Sequence, residues 1–282
     1  KSWEGLAGSM LFSAATACVF LALARRFGWG ETVQFWNVLT YPVAAACGAG
    51  AALVAAGAVA IGALRAKGIR IGAHIAEIAG VKDRAFGAGE DLAKDLETLY
   101  TLDFAALDEA AGEAMREAIL AAKADADSVG GILETAVTGM PVGVGEPFFD
   151  SVEGLLAHAI FAIPGIKGIE FGAGFGLANM RGSVANDPLR IAEGRVVTTS
   201  NNAGGINGGL TNGMPVMFRC AVRPTPTIGR EQDTVNFREN VNATLAAKGR
   251  HDPCIVHRVR AVVDAMTAIV IADLLAGEGK LQ

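Results

Sequence analysis

Residues able to do chemistry concentrate between Ser200 and Arg258. Gly204, Gly205, Gly208 and Gly209 place four glycines within six residues. Glycine weakens helix and strand interiors, so this density serves an ordinary loop or a close backbone approach to a flat or anionic ligand. Arg223-Pro224-Thr225-Pro226-Thr227 sets a guanidinium and two hydroxyls on a stiff segment, suited to a phosphate or ring carbonyl. Its bland alternative is a strand exit with a proline stop. Gly249-Arg250-His251-Asp252-Pro253-Cys254 brings a second arginine. Arg250 and Asp252 either hold and orient an anion or form a surface pair of little energy. His251 and His257 have no partner evident in the sequence. Asp273 lies in a strongly apolar stretch and is the better acid for catalysis, a helix-end carboxylate in water being the alternative. Asp264, nine residues earlier, cannot share its helix face. The expectation is that Gly208, Arg223 and Arg250 converge on one hollow.

The elements that must position these groups read as follows. Val54 to Lys67 is a helix ended by Gly68. Ile69 to Ile78 alternates and reads as a strand, with His74 half-exposed on its mixed face. Val81 to Leu102 reads mostly as loop, and Asp103 to Asp125 as a long amphipathic helix with a solvated acidic face. Gly131 to Met140 is strand-like. Asp150, three residues before Glu153, opens a capping-box helix that Pro164-Gly165 ends. Ile166 to Phe171 is a strand leading into Gly172-Ala173-Gly174-Phe175-Gly176. That run lacks the last spacing of a dinucleotide fingerprint and no periodic helix follows, so it is a structural turn. Val196 to Ser200 and Pro215 to Val222 are strands, with Cys220 in the core. Thr234 to Lys248 is loop-rich, and Val259 to Leu275 is an apolar helix.

The formal net charge of −5 carries no basic block, which excludes nucleic-acid binding on electrostatic grounds. Four scattered cysteines without a Cys-x-x-Cys pair exclude a disulfide framework or zinc site and suit a reducing, cytoplasmic compartment. Leu6 to Leu23 is free of charge and precedes Arg25-Arg26, so it reads evenly as a membrane contact or a buried core helix. Thr32 to Leu64 is also uncharged but broken by Pro42. Lys1-Ser2-Trp3-Glu4-Gly5 resembles a short signature of membrane cytidylyltransferases and polyprenol kinases, which keeps open a membrane protein of lipid or polyprenol phosphate metabolism.

Ser-Asn-x-Ala-Gly-Gly-Ile-x-Gly-Gly from Ser200, Arg-Pro-Thr-x-Thr from Arg223 and Gly-Arg-x-Asp-Pro-Cys from Gly249 together resemble the C-terminal half of chorismate synthase. The likeness extends through Asp127-Ser128-Val129-Gly130-Gly131, Gly143-Val144-Gly145-Glu146-Pro147, Arg181-Gly182-Ser183 and Ala265-Met266-Thr267-Ala268-Ile269-Val270. It covers residues 54 to 275, dividing the chain into an apolar helical segment, 1–53, and a chorismate synthase-like domain, 54–282. The resemblance implies an α+β fold, a β–α–β sandwich that is incomplete here, and assembly as a tetramer. It also implies elimination of phosphate from 5-enolpyruvylshikimate 3-phosphate with reduced FMN and no metal. The flavin contacts would be Gly208, Arg223, Pro224, Thr225, Pro226, Thr227, Arg250, Pro164 and Gly165, with Asp273 the acid near the flavin. Many relatives carry Asn-Ala where this chain has Pro164-Gly165. The family's Gly-Glu-Ser-His-Gly segment, second histidine, phosphate-binding arginines and Gly-Gly-Arg-x-Ser-x-Arg loop are not found in this sequence. Part of a flavin site and little turnover by this polypeptide alone are the expectation, with a non-catalytic flavin-binding module the further alternative.

Overall fold

In a computed structural model, residues 53–192, 194–249 and 251–280 are described. Residues 53–66 form helix α1, and Gly68, at φ 82°, turns the chain out of it. Strand β1 (Arg70–Ile78) follows, then the short β2 (Val81–Lys82). Helix α2 (Glu90–Leu99) occupies a stretch expected to be mostly loop. Leu92, Leu96 and Leu99 are its buried stripe, and it sits directly on Gly72, where a Cβ would meet Leu96 Cδ2 at 2.9 Å. Helix α3 (Glu109–Ala124) starts later than the sequence suggested, because Asp108 caps it by accepting from the Ala111 amide at 2.8 Å.

Strand β3 (Gly131–Thr138) leads to helix α4 (Val152–Phe161) and strand β4 (Ile166–Phe171). The cap of α4 is Ser151, whose Oγ accepts from the Gly154 amide at 3.0 Å, and not the expected Asp150, which belongs to a preceding 3₁₀ turn. The glycines after β4 form another 3₁₀ turn (Gly174–Asn179), consistent with a structural role. Ribbon β5 (Leu189–Ala192) with β6 (Arg195–Thr198) and the hairpin β7 (Ile206–Asn207) with β8 (Leu210–Thr211) come next. Strand β9 (Val216–Val222) returns to the main sheet. A second ribbon, β10 (Gln232–Asn236) with β11 (Val241–Leu245), replaces the loop expected over 234–248. Helix α5 (Val256–Gly277) closes the described chain.

The main sheet is antiparallel throughout, in the order β2-β1-β3-β9-β4. Alternation sends Ile71, Ile75, Leu133, Val137, Phe218, Cys220 and Val222 to one face, where they pack with Leu64, Leu156, Ile160, Val263 and Ile271 of the helices. Burying these side chains contributes about 1.5–3 kcal/mol each. Burial lifts the Cys220 thiol to about 12, so it is an inert core group, as alternation predicts. Helix α1 crosses α5 so closely that a Cβ on Gly57 would land on that of Ala265. A smaller cluster of Leu92, Leu96, Leu99, Ala105 and Ala136 covers part of the opposite face.

Beyond its short pairing with β2 at Glu77 and Ile78, the edge of β1 is closed by side chains and loop. The Tyr100 hydroxyl donates to Ile71 O at 2.8 Å, Arg260 Nε donates to Ala73 O at 2.8 Å, and the Ile75 amide donates to Ala105 O at 2.7 Å. Peptide groups that would template another chain are thereby occupied. No helix among the described residues is long and apolar enough to cross a membrane. Residues 6–23 and the apolar segment 1–53, apart from Leu53, lie outside the described residues.

Candidate functional site

The glycine-rich loop is built mostly against the protein's own backbone. Gly204 and Gly205 have φ of 66° and 79°, and a Cβ on either would collide with Gly172 N or Pro215 O. Gly208 and Gly209, at φ 60° and 91°, make the two-residue turn between β7 and β8, which calls for positive φ at both positions. A Cβ on Gly209 would meet Glu146 O at 2.6 Å, and Gly209 O accepts from the Val152 amide at 3.0 Å. Gly208 differs: its Cβ direction is open space. Three of the four glycines therefore have a packing reason, and Gly208 is the one left free to face a ligand.

The arginine-threonine segment lies at one end of the sheet. The Arg223 amide donates to Gly165 O at 2.9 Å, Ser128 Oγ donates to Thr225 O at 2.6 Å, and the Val129 amide donates to Pro253 O at 2.8 Å. Gly165 has φ 102°, and a Cβ there would touch Ile255 Cδ1 at 3.3 Å. Four segments, 128–130, 164–165, 223–225 and 253–255, thus meet. The Arg223 side chain is exposed, and among the described residues its guanidinium has no hydrogen bond or ion pair. The Thr225 hydroxyl is buried and has no partner among the described residues. A free guanidinium and an orphaned hydroxyl two residues apart fit an anionic group such as a phosphate. Pro224, Pro226 and Thr227 are exposed on the same segment, and Pro164 is exposed beside Gly165. Arg250 lies outside the described residues. Asp252 pairs with Arg258 and accepts from the Cys254 amide, while His251 Nε2 is 3.0 Å from Ala247 O.

Among the described residues, Gly208 and Arg223, two of the three groups expected to converge, lie at opposite ends of α4, and Arg250 lies outside the described residues. The Gly208–Gly209 turn packs at the N-terminus of α4, whereas Gly165 and Arg223 meet beyond its C-terminus. Ten helical residues separate the two ends, about 15 Å. Asp273 lies between these ends, lining a hollow with Leu155, His158, Ala159 and Ala162. Helix α5 runs back along α4, and Glu278 at its far end accepts from the Gly145 amide at 2.7 Å.

Asp273 is exposed, which matches the solvated alternative that the sequence left open. It borders a hollow of about 310 Å³ between α4 and α5, lined also by Leu155, His158, Met266 and Val270. The more enclosed acid of α5 is Asp264, whose Oδ1 has no partner among the described residues and whose Oδ2 lies 3.5 Å from Arg260 Nε. Burial raises its carboxyl to about 7, with Arg260 offsetting only part of the cost. An almost continuously apolar helix gives weak phase information, so the sequence did not show which acid turns inward.

Sequence reasoning also missed His74. Expected half-exposed, it is fully buried beneath the loops that flank α2. Its Nδ1 lies 3.0 Å from Asp83 Oδ2 and its Nε2 lies 2.8 Å from Glu134 Oε2. Two ionised carboxylates can only accept, so both ring nitrogens must donate and the imidazole is cationic. Burial alone lowers its pKa, but the hydrogen bonds and charges of Asp83 and Glu134 outweigh burial and hold it above the ordinary value. Asp83 also accepts from the Leu107 amide at 2.6 Å and the Asp108 amide at 2.9 Å, which fixes the loop onto the sheet. The row continues in register: Glu134 stands opposite His74 and Arg219, and Arg219 pairs with Glu170 at 2.6 Å. Spacing gave a partial signal, since His74 and Glu134 each occupy the non-core parity of a strand. Their separation by sixty positions hid the pairing.

Residues 45–276 match the family model of chorismate synthase. A chorismate synthase of Dehalococcoides mccartyi strain BAV1 is 45% identical over 227 residues, covering 80% of this chain and 61% of the relative. One from Methanosarcina barkeri is 43% identical over 226 residues, with the same coverage. One from Chitinophaga pinensis is 52% identical over 159 residues, or 56% of this chain and 46% of that protein. A crystal structure of chorismate synthase superposes with a TM-score of 0.68 at 30% identity, covering 81% of this chain and 63% of that one. The chain thus spans about three fifths of the length of the relatives it matches most broadly. These matches give the lipid-phosphate and non-catalytic readings no support.

Proposed function

Because the chain belongs to the chorismate synthase family, we propose that it serves the elimination of phosphate from 5-enolpyruvylshikimate 3-phosphate to give chorismate, as a cytoplasmic lyase of the shikimate pathway. The observation that supports this most is the pairing, two residues apart, of an Arg223 guanidinium and a Thr225 hydroxyl that have no partner among the described residues, on a segment whose Arg223 amide is held by Gly165 O. Arg223 and Thr225 would hold the phosphate of FMN, with Pro224, Pro226, Thr227 and Pro164 shaping that end and Arg250 adding charge. When bound, the reduced flavin supplies electron density to the substrate as phosphate departs. Asp273, which lines the hollow together with His158, would hold a proton for the reaction. The cationic side chains would stabilise departing phosphate charge.

The two clusters lie at opposite ends of α4, about 15 Å apart by helix rise, and this reading draws them from different copies. A homo-oligomer, a tetramer on the family's pattern, would bring the Gly208 end of one copy to the Arg223 end of another. Such assembly would also cover the outer ribbons, where Leu189, Ile191, Val196 and Phe237 are exposed. We also propose that a second layer, completing the β–α–β sandwich, covers the outer faces of α4 and α5.

An FMN titration followed by a turnover assay tests this reading. Arg223→Glu should abolish flavin binding, and the unmodified chain should bind FMN with little turnover. Robust chorismate formation by this polypeptide would refute the claim of an incomplete site. Undiminished FMN affinity in Arg223→Glu would refute the assignment of the phosphate end.

A further inference from the structure

A carboxylate already occupies the place where the turn at 200–204 could receive an anion. Asp187 Oδ1 accepts from the Ser200 hydroxyl at 2.7 Å and from the Asn202 amide at 2.8 Å. Its Oδ2 accepts from the Ala203 amide at 2.8 Å. Burial pushes the Asp187 carboxyl up, but the donors at Ala203, Ser200 and Asn202 win and hold it below its ordinary value. Donors of the glycine-rich loop are therefore partly spent inside the protein.

The order imposed there passes along the loop. Asn202 O accepts from the Ala173 amide at 2.9 Å, and Asn202 Nδ2 donates to Ala185 O at 3.2 Å. The Met217 amide donates to Gly204 O at 3.1 Å, and the Asn212 amide donates to Gly205 O at 3.0 Å. Asn212 Nδ2 then reaches Asn207 Oδ1 at 2.7 Å, next to Gly208. On the other side, the Thr199 amide donates to Pro188 O at 3.0 Å and closes the base of the β5–β6 ribbon.

We propose that Asp187 is a positioning residue: an internal carboxylate that fills the 200–204 turn in place of a bound anion and so presents the Gly208–Gly209 turn to the ligand. Its effect on the ligand rests on the flavin reading above; its effect on the loop does not. The shape of the side chain is not enough. An asparagine would set an NH₂ against one of the loop's N–H donors, so an isosteric neutral residue should fail where a carboxylate succeeds.

The test uses the full chain with Asp187→Ala and Asp187→Asn, followed by amide hydrogen exchange and FMN titration. Exchange at Asn202 and Ala203 should quicken at least about tenfold in both variants, given the strength of hydrogen bonds to charged acceptors. The amides of Phe218 and Cys220 in β9 should not change. Added sodium formate should slow exchange again in Asp187→Ala, where it can re-enter the emptied volume, but not in Asp187→Asn. FMN affinity should fall about tenfold and return with formate in the same pattern. Exchange in Asp187→Asn equal to that of the parent chain, or no rescue of Asp187→Ala by formate, overturns the proposal. If Asp187→Ala also loosens β9, selective loosening in the isosteric variant decides. Quickened exchange with unchanged FMN affinity overturns the ligand-presenting role. Failure of the parent chain to bind FMN defeats the flavin reading alone, and exchange still decides what Asp187 does.

Discussion

Replacing His74 by glutamine separates a cationic tie from ordinary packing. The imidazolium donates to Asp83 and Glu134 from full burial, and glutamine keeps one donor group but no charge. Leaving buried carboxylates without their cation costs about 3–5 kcal/mol. The pH dependence is the sharper signature. A group whose folded pKa is raised contributes its full stability below its unfolded value, about 6.5, and loses it as pH rises through the folded value. Between those limits the folded state holds one proton more, so unfolding free energy falls by about 1.4 kcal/mol per pH unit. Asp83 and Glu134 are held below their ordinary values against burial, chiefly by the hydrogen bond from His74. Their contribution is lost on the acid side, as pH falls through the folded values. Urea unfolding of both proteins at steps from pH 5 to pH 9 gives the two curves. The gap between parent and His74→Gln should be widest near pH 6 and shrink above pH 6.5. Parallel curves across that range would show that His74 is neutral in the folded protein, and the reasoning from its two acceptors would fail.

Asp264→Asn should leave stability near pH 4 little changed and raise it at pH 8 by about 1 kcal/mol or more, because the native carboxyl titrates near 7 and is ionised without a full partner set above that; urea midpoints at the two pH values check it. Gly57→Val should lower the thermal midpoint sharply through a clash with Ala265 at the α1–α5 crossing, with overpacking costing about 1–3 kcal/mol or more. Mixing Gly208→Trp with Arg223→Glu chains should restore part of the FMN binding that each lacks alone if the site is shared between copies; analytical ultracentrifugation run beside the titration would reveal a strictly monomeric chain, which ends that idea.

Much of this architecture was legible from local patterns. Alternation located β1 and β9 and put Cys220 in the core, and Gly68 and Pro164-Gly165 marked real helix ends. The missing spacing in Gly172 to Gly176 correctly argued for a turn. Helix α2 was hidden because Gly87 and Gly89 read as punctuation, although Leu92, Leu96 and Leu99 carry its stripe. The β10–β11 ribbon was hidden because both its faces are largely exposed, which removes the polar–apolar contrast that marks a strand. The site was less legible than the fold. Motif spacing identified Arg223 to Thr227 as a unit, but sequence order could not reveal that Gly208 sits at the other end of α4. Nor could it reveal that Asp187 consumes donors belonging to the glycine-rich loop, since that depends on a side chain thirteen residues before Ser200.

The charged row across β1, β3, β9 and β4 acts as a key for strand alignment. Hydrophobic alternation penalises a slip of one residue, since every side chain would change faces, but it tolerates a slip of two. A slip of two between β1 and β3 would set His74 opposite Ile132 or Ala136 and strand a buried cation among apolar neighbours. The same displacement between β3 and β9 would part Glu134 from Arg219. These charges come from segments far apart in the chain, so they exclude the misaligned sheets that greasy side chains alone would accept.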